Sequence, residues 1–280
     1  MWSKYSGKTT CMNALAETET GEDWEKLFDQ DGTLYHIEAP DRDFFNKCRN
    51  SPWVREIMRR GLPEECATGI KILEAGCANA KRTIAISTYG HTCVGLDYAK
   101  SMCIAAAHLH RTARSFWANI DVEIVQGDIL TLPFEDNTFD LVYNNGVLEH
   151  FLASDTRTRA LQEMLRVVRP GGRILVTVPN GQHLMEKLWH QYLIHGDAVS
   201  EVLLRKDDLE NEFRKAGLWV TWSGFMGVSD SFDQWLKYRI LKLPVQLADA
   251  LIRKICPEPI KKYLAFHLMC IGSKPLVIQP

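Results

Sequence analysis

From Lys71 onward, short apolar runs alternate with helical stretches, and this alternation limits the fold more than any other feature of the chain. The runs are KILEAG (71–76), HTCVGLD (91–97), VEIVQGD (122–128), FDLVYNN (139–145) and GRILVTVPN (172–180), followed by LWVTWSG (218–224) and FHLMCIGSK (266–274). Strand-like runs separated by helical segments are the sequence form of βαβ units around a mostly parallel sheet. The expected class is therefore α/β, a Rossmann-like, doubly wound sheet of seven strands. With 280 residues, 46% of them hydrophobic, the chain can bury a full core, and one large domain with elaborations is expected.

The organisation expected around that sheet has several parts. Residues 1–20 are small and polar and read as a flexible leader. Residues 21–68, with WEKLFDQ and DFFNKCRNSPWVREIMRR at helical spacing, read as an N-terminal helical lid. Residues 69–280 form the main domain, with added segments at 181–204 and 228–263 that break the alternation and are natural places to meet a substrate. The second includes a helical insertion before the last strand.

At the end of the first run stands Glu74-Ala75-Gly76-Cys77-Ala78-Asn79-Ala80, with a small residue at every second position from Gly76. Such a pattern lets the backbone turn tightly from strand into helix, so that a ligand can sit against the main chain. About twenty residues on, HTCVGLD ends in Asp97, where a carboxylate at a strand tip can accept hydrogen bonds from ribose hydroxyls. Together the two features point to a nucleoside ligand.

With these residues, the stretch from Lys71 to Asn180 resembles the class I S-adenosylmethionine-dependent methyltransferases, in particular the small-molecule branch that includes quinone-biosynthesis enzymes. Glu74 and Gly76 match the acidic residue and first glycine of the family's (E/D)xGxGxG motif, while Ala78 and Ala80 stand where glycines are usual. The resemblance makes Asp97 the ribose-binding acid and sets Tyr98 beside the adenine with Met102 packed nearby, although both also read as plain core residues. It sets the Asp128 carboxylate of Gly127-Asp128-Ile129 on the adenine amino group with Ile129 beside the ring, and it lines the methionine moiety with Asn145 and Gly146. Gly171 and Gly172 shape a turn before the fifth strand. The implied cofactor is S-adenosyl-L-methionine, leaving S-adenosyl-L-homocysteine, and the implied acceptor is a small molecule, hydrophobic or lipid-like.

Methyl transfer is an in-line displacement that needs positioning and exclusion of water more than side-chain chemistry. Where the acceptor must lose a proton, a histidine is the usual base, and His150 in LEHF, just after the fourth strand, is the first candidate. A structural histidine at a helix start is the plainer reading of the same residue. His183, His190 and His195 fall in an aromatic-rich stretch that reads as a substrate wall or as an amphipathic cover helix, and their spacing gives no metal-ligand pair at i and i+4. Trp24, Phe28 and Tyr35 are candidates to close the pocket and read equally as ordinary helix-packing residues. Residues 237–262 carry seven basic side chains among apolar ones, suited to peripheral contact with an anionic membrane, to a greasy acceptor, or to a solvated helical insertion.

Thirty-three basic against 35 acidic residues give a net charge of -2, so the overall field supplies no footprint for nucleic acid, and none is expected as partner. The NNGV sequence after the fourth strand also differs from the NPPY-like motif of amino-methylating nucleic-acid enzymes. Eight scattered cysteines without a CxxC pair read as reduced thiols, and no apolar run is long enough for a signal peptide or a membrane span, so the expected location is the cytoplasm. Two rival readings remain. An NAD(P)-dependent oxidoreductase would share Gly76 and Asp97, but Lys81 stands where its third small residue belongs and Glu74 goes unexplained. A non-catalytic S-adenosylmethionine-binding protein would tolerate the alanines of the loop.

Overall fold

The structure, a computed structural model, describes residues 40–62, 68–183, 201–226 and 265–276, together with Pro257, Ile260, Lys262 and Tyr263. The chain enters through two helices, α1 (Arg42–Arg49) and α2 (Pro52–Gly61). Asp41 caps α1 by accepting the Phe44 N–H at 2.7 Å, and Ser51 caps α2 by accepting that of Val54. The break between them follows from Pro52, whose missing N–H suits a first helical position and no interior one.

Each of the seven apolar runs is a strand. In chain order the elements are β1 (Lys71–Ala75), α3 (Lys81–Ser87), β2 (Thr92–Asp97), α4 (Lys100–Arg114), β3 (Asp121–Gln126) and β4 (Phe139–Asn145). A 3-10 turn (Leu148–His150) follows, then α5 (Ser154–Val167), β5 (Val168–Pro179), α6 (Lys206–Lys215), β6 (Trp219–Met226) and β7 (His267–Ser273). They form one sheet in the order β3-β2-β1-β4-β5-β7-β6. The first five strands pair in parallel, and β7 inserts antiparallel between β5 and β6. β5 extends through the Pro-Gly-Gly turn expected ahead of it, because Val168 already pairs with Phe139 across a register shift and Gly171 takes a φ of +76°. That places Gly171 and Gly172 at the amino end of the strand, away from the edge where ligands bind.

Alternation along the strands feeds two apolar layers. Leu73 and Ala75 face α5 and α6, joining Leu161, Met164, Leu209 and Phe213. Ile72 faces the other way and packs with Val54 and Ile57 of α2, Ile86 of α3, and Tyr143 and Leu175. The chain runs outward from β1 through β2 to β3, then returns to β4 on the other side of β1, so the strand order reverses between β1 and β4. Open α/β sheets bind ligands at the carboxyl ends of the strands at such a switch point.

Among the described residues no helix is long and apolar enough to cross a membrane. A surface groove of about 610 Å³ between α6 and the amino end of β6, lined by Glu210, Arg214, Trp219 and Ser223, lies at the other end of the sheet from the switch point.

Candidate active site

The carboxyl ends of β1, β2, β3 and β4 bring Gly76, Ala78, Asp97, Gly127, Asn145 and Gly146 to one edge. The loop after β1 is pinned first. The Gly76 and Cys77 N–H groups both donate to the Leu96 carbonyl, at 2.7 and 2.9 Å. Gly76 has a φ of +83°, and a Cβ there would stand 2.4 Å from Cγ2 of Val147, so no other residue fits without displacing the turn after β4. Ala78 and Ala80 carry φ of 47° and 55°, the left-handed conformation that the glycines of the family motif would adopt freely.

Asp97 locks this loop. Its Oδ2 accepts the Ala78 N–H at 2.7 Å and its Oδ1 accepts the Ala99 N–H at 3.0 Å. Burial pushes its carboxyl pKa up, while the Ala78, Ala99 and Tyr98 N–H groups pull it back. A carboxylate offers about four lone-pair sites, and with the Ala78, Ala99 and Tyr98 N–H groups on it about one remains for a ligand hydroxyl at the strand tip.

Glu74 does something different from what the motif suggested. Ile72 and Glu74 lie on the α3 face of β1, and the Glu74 carboxylate accepts both the Thr83 N–H, at 3.0 Å, and the Thr83 hydroxyl. Thr83 is the third residue of α3, and Ala80 at the cap position has no side-chain oxygen to offer. Glu74 therefore acts as a long-range cap for the helix that starts the ligand loop. Burial raises its pKa, opposed by Arg82 and by Thr83.

The remaining candidates divide. Tyr98 is half-buried at the edge, whereas Met102 is 2% exposed and Ile129 sits in the core layer. Asp128 is half-buried, and its Oδ1 accepts the Leu130 N–H at 2.8 Å, shaping the turn after β3. Gly127 has no room for a Cβ, which would come within 2.9 Å of Leu96 and 3.3 Å of Pro133. Asn145 Oδ1 accepts the Thr177 hydroxyl at 2.7 Å, and the exposed Gly146 has a φ of +74°.

His150 ends the 3-10 turn, 3.9 Å from Glu201 through Nδ1. Beside it, Glu149 is 2% exposed, and burial first, then the charge of Glu201, pushes its pKa up to about 8. Sequence reading passed over both glutamates. A charged residue inside the apolar GVLEHF stretch was the one available signal, and Glu201, 51 residues from His150, had none. His183 is buried in the turn after β5, its ring edge-on to Phe266 at 5.5 Å. His190, His195, Trp24, Phe28, Tyr35, the 1–20 leader and nearly all of 237–262 lie outside the described residues.

Comparison with known proteins agrees with this geometry. The model of the methyltransferase domain family matches residues 73–176, from inside β1 to inside β5. Residues 73–176 form a methyltransferase domain of the S-adenosylmethionine-dependent kind. Over 145 residues, 52% of this chain and 28% of the relative, the domain region is 33% identical to "Probable tRNA methyltransferase 9B" of Bos taurus. Over 155 residues, 55% of this chain and 58% of the relative, it is 30% identical to demethylmenaquinone methyltransferase of Corynebacterium efficiens. The chain thus spans between about a quarter and three fifths of the length of these curated relatives. The fold is shared with magnesium protoporphyrin IX methyltransferase of Synechocystis, solved with bound S-adenosylhomocysteine, at a TM-score of 0.58 and 11% identity over 91% of this chain and 99% of that one.

Proposed function

We propose that this chain transfers the methyl group of S-adenosylmethionine to a small-molecule acceptor, hydrophobic or lipid-like, and releases S-adenosylhomocysteine. The bound sulfonium supplies an activated methyl carbon; the protein supplies position, desolvation and a place for any proton that leaves. One observation carries the reading: Asp97 sits at the tip of β2 with both oxygens anchored by loop N–H groups and acceptor capacity left over, beside a left-handed loop at the switch point. In this reading Gly76 and Ala78 approach the ligand with their main chain, and Asp97 takes the ribose. Tyr98 and Asp128 flank the adenine, with Gly127 and Ile129 shaping that wall, and Asn145 and Gly146 line the methionine moiety. Met102 supports the wall from the core, and Glu74 supports the loop by capping α3.

The residues of 21–68, 181–204 and 228–263 would cover the acceptor. The small-molecule assignment draws on the likeness to a demethylmenaquinone methyltransferase and on a net charge of -2, which supplies no phosphate-binding field. The described cysteines are free thiols, which suits a cytoplasmic setting.

Isothermal titration of S-adenosylhomocysteine into the chain, the Asp97→Ala variant and the Asp97→Asn variant tests the cofactor site. Micromolar binding to the parent, lost in Asp97→Ala while its melting transition persists, is expected. No binding to the folded parent would refute the reading. Methyl transfer from labelled cofactor to quinols and phenols, rather than to tRNA, is the expected acceptor result, and label in tRNA would overturn the small-molecule assignment.

A further inference from the structure

The turn after β4 holds more ionisable chemistry than cofactor binding requires. His150 and Glu201 come together from distant parts of the sequence, with Nδ1 of the imidazole 3.9 Å from Oε1 of the carboxylate, and their side chains are 16% and 25% accessible. The contact is fixed by main chain: the Val202 N–H donates to the Glu149 carbonyl at 2.8 Å, which sets Glu201 beside His150. The same turn borders the edge where the methionine moiety would lie. A Cβ built on exposed Gly146 would stand 3.5 Å from Oε1 of Glu149.

We propose that His150 and Glu201 form a proton-accepting dyad for the methyl transfer, so that the acceptor attacks through an O–H or N–H group whose hydrogen must leave as a proton. The proposal rests on the cofactor reading above. The acceptor's lone pair forms the new bond to the methyl carbon as the carbon–sulfur bond breaks, its electron pair staying on sulfur. The acceptor's hydrogen passes as a proton to an imidazole nitrogen of His150, and the carboxylate of Glu201 faces the resulting imidazolium. His150 is the base and Glu201 a positioning residue that also stabilises the charged form.

Glu149 sets the charge balance. Its carboxyl is buried, and Oε2 has no partner among the described residues, an arrangement that costs stability and so calls for a use. Burial and the facing Glu201 favour its protonated form near neutral pH. The two glutamates then carry a single negative charge, on Glu201, which matches one imidazolium. Arg157 of α5 bonds the carbonyls of Phe151 and Leu152 at 2.5 and 2.8 Å and is paired with Glu212 at 3.0 Å, so it does not compete for Glu201.

Imidazole titration of His150 by NMR, its signal assigned by its loss in His150→Gln, tests this without an acceptor. The titration is followed in the chain saturated with S-adenosylhomocysteine, a neutral thioether, and with S-adenosylmethionine, a cationic sulfonium. A base facing the methyl group titrates at lower pH in the sulfonium complex, by like-charge repulsion, and Glu201→Gln lowers the midpoint in both complexes. Coincident midpoints with the two ligands, or a midpoint unmoved by Glu201→Gln, would overturn the dyad while leaving cofactor binding intact. Failure of both ligands to bind would overturn the cofactor reading and the dyad with it.

Discussion

Ala78 and Ala80 occupy the same left-handed conformation, yet replacing each by glycine should have different consequences. A left-handed φ costs an L-residue roughly 1–2 kcal/mol that glycine does not bear. Against this, glycine adds about 0.4–1 kcal/mol of unfolded-state entropy. Ala78 is half-buried, so its methyl contributes little packing, and Ala78→Gly should stabilise the chain by about 0.5–1 kcal/mol. Ala80 is 0% exposed and packs with Phe45, Cys77, Ile84 and Ala106, so removing its methyl forfeits about 0.8 kcal/mol of burial and cancels the conformational gain. Urea unfolding of both variants and the parent measures the difference. In a chain of this size the gain for Ala78→Gly corresponds to a melting shift of about 1–3 °C. Binding of S-adenosylhomocysteine should be retained, because Asp97 bonds the backbone N–H at position 78 and not the side chain. If Ala78→Gly destabilises the chain, or Ala80→Gly stabilises it more than Ala78→Gly does, the account of the loop is wrong.

Gly76→Ala combines a φ of +83° with a 2.4 Å approach to Val147, so it should cost more than about 2 kcal/mol and abolish cofactor binding; a stable variant that still binds would show that the turn after β4 can move aside. Glu212→Ala strips the buried Arg157 of its carboxylate and the Ser154 and Thr158 hydroxyls of their acceptor, at a cost of about 3–5 kcal/mol in urea unfolding, and a loss below 1 kcal/mol would mean that Arg157 finds water. Glu149 has a raised pKa, so the folded state holds a proton that the unfolded state releases. Its contribution is therefore present below the ordinary carboxyl range and lost as pH rises toward 8. Glu149→Gln should be more stable than the parent at pH 8 by up to about 4 kcal/mol and lose that advantage near pH 4, and parallel stability curves would contradict the burial of an ionisable group there.

The strands were legible because a parallel sheet covered on both faces demands near-continuous apolar runs, and the periods of helix and strand do not overlap. Asp97 and Gly76 were legible for a related reason: each is required where a strand ends, so position in the alternation already suggests a role. Glu74 shows where that logic stops. Its neighbours in sequence mark it as part of a ligand motif, but the pleat turns it toward α3, and its carboxylate meets Thr83, nine residues on. Met102 and Ile129 are both buried, and one-dimensional spacing does not separate a buried wall of the site from plain core. The neighbourhood of His150 was the least legible, since Glu149 and Glu201 have no shared motif and are brought together by one backbone bond between Glu149 and Val202. A ligand site held by main chain at strand ends can be read from strand ends, whereas a proton site assembled from side chains on separate segments depends on the closure of the fold. The part of the candidate site held at strand ends therefore follows from local sequence, as does His150 just after β4, whereas its pairing with Glu201 does not.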